Sequence, residues 1–159
     1  MPGSADPKPI DRKYKLLMAD LDAAFCVTAT SALADHGHEL TPCRDGETAW
    51  RLANDREFDL VMIDLAIPKI NGLEFISRCR QSDTLSDLPI IALSEATDED
   101  LCTRALGLGA STYLLKPVSF QLLSHTVWNI IRNKARDEEM KWLKLRLGFA
   151  PDHNLELAS

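Results

Sequence analysis

The chain has 159 residues, a formal net charge of −6 and 45% hydrophobic content, enough for one domain with a real core and a modest appendage. Its acidic balance argues against a general nucleic-acid or membrane-surface binder, which needs an excess of Lys and Arg, and no apolar stretch approaches the length of a membrane span. The four cysteines (Cys26, Cys43, Cys79 and Cys102) are scattered, with no Cys-x-x-Cys pair; this speaks against a zinc site or a disulfide framework and for small core residues.

Residues 1–12 are Pro-rich and polar with no hydrophobic signal core, so a flexible leader and a cytoplasmic protein are expected. Leu16-Leu17-Met18-Ala19 reads as an apolar strand ending at Asp20. Asp22 to His36 reads as a helix, with Phe25, Thr28, Ala29, Ala32 and Leu33 at helical spacing and Gly37 as its stop. Glu39 to Cys43 is a weaker strand, Asp45-Gly46 a turn, and Glu47 to Asn54 a helix carrying Ala49, Trp50, Leu52 and Ala53. Leu60-Val61-Met62-Ile63 is apolar without alternation, the pattern of a strand buried on both faces, and it closes on Asp64. Asn71 is a candidate N-cap for a helix over Gly72–Gln81, with Leu73, Phe75 or Ile76, and Cys79 inward. Leu88 to Leu93 is a strand ending at Ser94. Asp98 to Leu106 is a helix stopped by Gly107 and Gly109. Ser111 to Leu115 is a fifth strand ending at Lys116-Pro117, and a long helix runs from Ser119 towards Arg146.

Strands alternating with helices at short spacing demand parallel strands and right-handed crossovers. The fold expected is α/β, a flavodoxin-like doubly wound sheet of five parallel strands in order 2-1-3-4-5, with five helices, the last extended. In that order the crevice opens beyond the carboxyl ends of strands 1 and 3. Asp20 and Asp64 then face each other across it, with Ser94 and Lys116 approaching from strands 4 and 5. Singly, each has a plainer reading: Asp64 a turn residue, Asp20 a helix cap, Ser94 a backbone-bonded hydroxyl, Lys116 a solvated cation before a proline. Together they make two carboxylates, a hydroxyl and an ammonium. Paired carboxylates suit a hard cation such as Mg2+. Ser and Lys suit phosphoryl oxygens, and a carboxylate can accept a phosphoryl group.

At this point the chain resembles the response-regulator receiver domain of two-component signalling, over about residues 13–135. The resemblance rests on Asp64-Leu65-Ala66-Ile67-Pro68-Lys69-Ile70-Asn71-Gly72-Leu73-Glu74, on Pro89-Ile90-Ile91-Ala92-Leu93-Ser94, and on Gly109-Ala110-Ser111-Thr112-Tyr113-Leu114-Leu115-Lys116-Pro117. It implies that Asp64 accepts phosphate from a sensor histidine kinase or phosphotransfer protein. Asp20, Asp64 and the Ala66 carbonyl would hold Mg2+, while Ser94 and Lys116 would bind the phosphoryl group. Ser94 and Tyr113 would be the switch that changes the surface of helix 4, strand 5 and helix 5. On this reading the protein is a phosphoacceptor rather than an enzyme acting on other substrates; it catalyses only its own phosphorylation and dephosphorylation.

Leu21 departs from the pattern. Receivers usually carry two adjacent acids after strand 1, and here the pair is Asp20-Leu21, so weaker Mg2+ binding is expected. Asp22, one position along, is the alternative ligand. The acidic run Glu95–Asp100 reads as an exposed helix start. After residue 135 a helical extension over 136–149 carries Met140, Leu143 and Leu147 as an apolar stripe, read as a surface for a second copy or for docking, the plainer alternative being a helix folded back on its own domain; residues 150–159 read as a disordered tail. Three alternatives stay open to different degrees. An aspartate-nucleophile phosphatase wants an acid where Ala66 stands. A nucleotide-binding flavodoxin relative wants glycines where Asp20-Leu21-Asp22-Ala23-Ala24 stands. A pseudo-receiver acting only through its surface differs from a phosphorylated one in nothing the sequence displays.

Overall fold

The computed structural model describes residues 13–95 and 99–148. The expected leader (1–12), the middle of the acidic loop (96–98), Phe149 and the expected tail (150–159) lie outside the described residues. Strands β1 (Lys15–Ala19), β2 (Glu39–Cys43), β3 (Leu60–Asp64), β4 (Ile90–Glu95) and β5 (Thr112–Lys116) alternate with helices α1 (Ala23–Ala34), α2 (Gly46–Asp55), α3 (Gly72–Gln81), α4 (Glu99–Leu108) and α5 (Phe120–Arg146). All neighbouring strands are parallel, in the order β2-β1-β3-β4-β5. The doubly wound topology expected from the alternation is therefore the one observed.

Helices cover both faces of the sheet, so the central strands carry apolar residues at consecutive positions. Leu16, Met18, Leu60, Met62, Ile91 and Leu93 point into the core under α1 and α5. Leu17, Ala19, Val61, Ile63, Ile90 and Ala92 point into the core under α2, α3 and α4. Phe75 and Ile76 are both buried, where one of the two was expected. Thr28 is exposed and bonds back to the Ala24 carbonyl at 2.9 Å.

Helix starts follow their caps. Asp22, Asp45, Asn71 and Ser119 each accept a backbone N–H from three residues on, which satisfies one of the first-turn donors. Asp22 is thus the cap of α1 rather than its first residue. Several other boundaries shift by one or two residues, among them the end of α1 at Ala34 rather than His36, and two of the shifts have a clear local reason. β4 begins at Ile90, not Leu88, because Pro89 has no N–H for the ladder. α4 runs through Gly107 to Leu108 and stops at Gly109, whose φ of 114° suits glycine; Gly107 is tolerated inside the helix.

Arg80 of α3 ties the far end of this layer together. Its guanidinium donates to the carbonyls of Gly109, Leu85, Ser86 and Leu88 at 2.8–3.4 Å. The last helix is the outlier in length. Leu123, Val127 and Ile131 bury one stripe of α5, but from Ala135 to Gly148 every residue is exposed. Among the described residues no helix is long and apolar enough to cross a membrane.

Candidate functional site

Each chemically active side chain stands where a strand ends. Asp20 follows β1, Asp64 closes β3, Ser94 lies near the end of β4 and Lys116 closes β5. Parallel register aligns them, with Asp64 beside Leu93, and Ser94 beside Leu115. The interiors of β1, β3 and β4 are apolar up to this edge, so the polar side chains that follow them emerge together here.

The structure brings Asp20, Asp64 and Lys116 into contact. Lys116 Nζ lies 2.7 Å from Asp20 Oδ2 and 2.5 Å from Asp64 Oδ2. The other oxygen of each carboxylate is held by backbone: Asp20 Oδ1 accepts from the amide of Asp22 at 2.9 Å, and Asp64 Oδ1 from the amide of Ala66 at 2.8 Å. Asp20 is 1% exposed, against 18% for Asp64 and 16% for Lys116. Asp20 is therefore the buried anchor and Asp64 the accessible carboxylate. Lys116 reaches Asp20 Oδ2 by distance but not with hydrogen-bond geometry, so that oxygen is buried with a charge beside it and no hydrogen bond. Burial pushes the Lys116 pKa down, yet the close carboxylates of Asp20 and Asp64 outweigh it and hold the pKa above the ordinary lysine value. Lys116 is cationic throughout the neutral range, and two carboxylates share its single charge.

These residues fit a hard divalent cation. Such an ion uses one or two carboxylates, a carbonyl and waters. Asp20 Oδ2 is a buried oxygen without a hydrogen bond, Asp64 Oδ2 is partly open, and the Ala66 carbonyl accepts no hydrogen bond among the described residues. The donor set is lean, however. No group of three or more His, Cys, Asp or Glu side chains suited to a metal exists among the described residues.

Other expected residues stand apart from the cluster. Asp22 accepts from the Phe25 amide at 3.1 Å and caps α1, so its carboxylate is already engaged. Leu21 is 53% exposed, and its carbonyl accepts from Arg44 at 3.4 Å. The Ser94 hydroxyl is buried and donates weakly to the neighbouring Glu95 carbonyl at 3.4 Å, not to Asp64. Tyr113 is 38% exposed, its ring outward. Three participants carry no motif and escaped the sequence reading. Phe25 lies under Lys116, with Nζ 5.6 Å from the ring centroid. The Cys26 thiol donates to the Asp20 carbonyl at 3.6 Å. Arg44, at the end of β2, is one more polar strand end, and that position was the signal available for it. A cavity of about 440 Å3 between the end of α1 and α5, lined by His36, His38, Gln121, Ser124, His125 and Trp128, shares no residue with the cluster.

Comparison with known proteins agrees with this geometry. The family model for the response regulator receiver domain matches residues 16–127. The transcriptional regulatory protein AfsQ1 of Streptomyces coelicolor is 30% identical over 122 residues, covering 77% of this chain and 53% of that protein. The chain spans less than two thirds of the length of this and two other curated relatives it matches, 53%, 23% and 62%. A putative response regulator from Chloroflexus aurantiacus shares the fold with a TM-score of 0.73 at 28% identity, over 76% of this chain and 99% of that one. The receiver domain of sensor histidine kinase PA1611 from Pseudomonas aeruginosa, solved with a magnesium ion coordinated in its active-site cleft, has a TM-score of 0.69 at 22% identity, over 76% and 98% of the two chains. With the strand order, the strand-end cluster and a match over most of the sheet in hand, the chain belongs to the response regulator receiver domain family.

Proposed function

We propose that this chain is a phosphorylation-dependent signalling switch in which Asp64 accepts a phosphoryl group from a phosphohistidine of a sensor histidine kinase or phosphotransfer protein. The observation that carries the reading is the half-open Asp64 carboxylate held against Lys116 and Asp20 at the carboxyl edge of the sheet. The Asp64 carboxylate is the nucleophile: a bond from one of its oxygens to phosphorus forms as the phosphorus–nitrogen bond of the donor breaks, and the imidazole leaves. Lys116 neutralises charge on the transferred group, and the Ala66 amide orients the Asp64 carboxylate. Asp20, Asp64 and the Ala66 carbonyl would hold Mg2+, which supplies positive charge to the phosphoryl oxygens.

The bound phosphoryl group adds negative charge and three acceptor oxygens. Ser94 gives up its weak bond to the Glu95 carbonyl for a phosphoryl oxygen. Tyr113 then turns from its exposed position towards the space Ser94 leaves, which alters the surface of α4, β5 and α5 that a partner reads. The reading implies a cytoplasmic chain, with a second copy as a further partner through α5.

Acetyl phosphate with Mg2+ should give a single phosphoryl adduct by intact mass, lost with chelator and absent from Asp64→Asn. No adduct on the wild type, or an undiminished one on the variant, sinks the proposal and favours a surface-only pseudo-receiver.

Leu21 leaves the cation site one acid short. Leu21→Asp should tighten Mg2+ about tenfold, equivalent to ~1.4 kcal/mol, by adding a carboxylate beside Asp20. Calorimetric titration checks this; an unchanged affinity means that position 21 does not face the ion.

A further inference from the structure

We propose that residues 136–147 of α5 pair antiparallel with the same segment of a second copy, through a seam of Met140, Leu143 and Leu147 flanked by complementary charges. This sharpens the self-association named above and does not depend on phosphorylation.

The buried stripe of α5 ends at Ile131, and every described residue after Lys134 is exposed. A helical segment this short is marginal in water unless a face is covered. Met140, Leu143 and Leu147 are exposed and follow the three-four spacing that makes one stripe. With Met140 and Leu147 at a and Leu143 at d, Arg136 takes the preceding d. Asp137 and Lys144 then occupy e, and Glu139 and Arg146 occupy g, the two positions bordering the seam. Asp137, Glu139 and Lys144 have no ion-pair partner among the described residues.

Reversing one helix sets e against e and g against g. With Met140 layered on Leu143 of the second copy, Asp137 faces Lys144 and Glu139 faces Arg146, each pair made twice by two-fold symmetry. The parallel arrangement keeps an attractive Glu139–Lys144 pair but stacks Arg136 on Arg136 in the seam, a like-charge contact, whereas the antiparallel register sets the aliphatic stem of each Arg136 against Leu147 of the second copy. Its upstream charge pair needs Arg132, whose guanidinium already lies 4.8 Å over the Trp128 ring. The apolar stripe drives association, and the charge order selects the antiparallel direction. Arg146 stacks on Trp142 at 4.9 Å, which shields part of the opposite face and leaves its N–H edge for Glu139.

The test is sedimentation equilibrium of the full chain without phosphodonor, so that its outcome is separate from that of the phosphorylation assay. The wild type should dimerise with concentration, and Leu143→Glu should be monomeric with an unchanged circular dichroism spectrum. Arg146→Glu should weaken the dimer several-fold, and adding Glu139→Arg to it should restore wild-type association. A wild type that stays monomeric overturns self-association and the register together. A dimer indifferent to Leu143→Glu, or one that the double variant fails to restore, overturns this seam while leaving the phosphoacceptor reading untouched.

Discussion

Lys116→Met should destabilise the fold by about 2–4 kcal/mol in metal-free buffer. Removing one partner from a fully buried ion pair costs about 3–5 kcal/mol, and the figure is reduced here because Asp64 and Lys116 keep 18% and 16% exposure. The cost arises because Asp20 Oδ2 is buried with no hydrogen bond, and Asp64 Oδ2 shares the same ammonium. Without Lys116 the two carboxylates repel across a poorly solvated gap. In a chain of this size the melting temperature should fall by ~5–15 °C. Millimolar Mg2+ should recover more stability in the variant than in the wild type, since an ion that binds only the folded state stabilises it. Asp64→Asn added to Lys116→Met should also recover part of the loss. The pH dependence has a definite sign. The raised Lys116 pKa means its contribution is complete below the unfolded value near 10.5 and is lost as pH rises through the higher folded value. The gap between wild type and variant should therefore hold through neutral pH and close in strong alkali. Thermal melts of the three proteins with and without Mg2+ check this, and equal melting temperatures for wild type and Lys116→Met would refute it.

Gly46→Ala should destabilise the fold by about 3 kcal/mol or more, at or beyond the upper end of ordinary overpacking. A Cβ at Gly46 would stand 1.6 Å from the Ile70 carbonyl oxygen and 2.6 Å from its carbon. Both are backbone atoms, so no side chain can swing aside. The Gly46 amide also donates to the Pro68 carbonyl at 3.0 Å. The start of α2 therefore supports the loop after β3, and that loop carries Ala66. The variant should lose Mg2+ affinity as well as stability. Gly107→Ala is the control: nothing lies within 4 Å of its Cβ position, and alanine in a helix interior is worth about 0.5–1 kcal/mol over glycine. Chemical denaturation of both variants should show opposite signs. A Gly46→Ala protein as stable as the wild type would mean that the loop yields freely.

The strands and the polar residues at their ends were legible because each is written locally. Leu60–Ile63 is apolar at every position, the pattern of a strand covered on both faces; Asp20, Asp64 and Ser94 each follow an apolar run, and Lys116 follows Leu114-Leu115. Asp45-Gly46 was legible only as a turn, since its close approach to Ile70 joins elements far apart in the chain. Phe25 under Lys116 and Arg80 on the Gly109 carbonyl escaped for the same reason.

The sequence alone determined the parallel α/β fold and the four polar strand ends, because periodicity and residue order carry that information directly; the acid missing at Leu21 shows only against the receiver pattern that the chain resembles. The tertiary structure decided how those residues engage. It made Asp20 the buried anchor and Asp64 the open carboxylate, turned Ser94 onto its own backbone, committed Asp22 to capping α1, and set Lys116 as the shared counter-charge. Those outcomes depend on distances and angles between strands that no single stretch of chain contains.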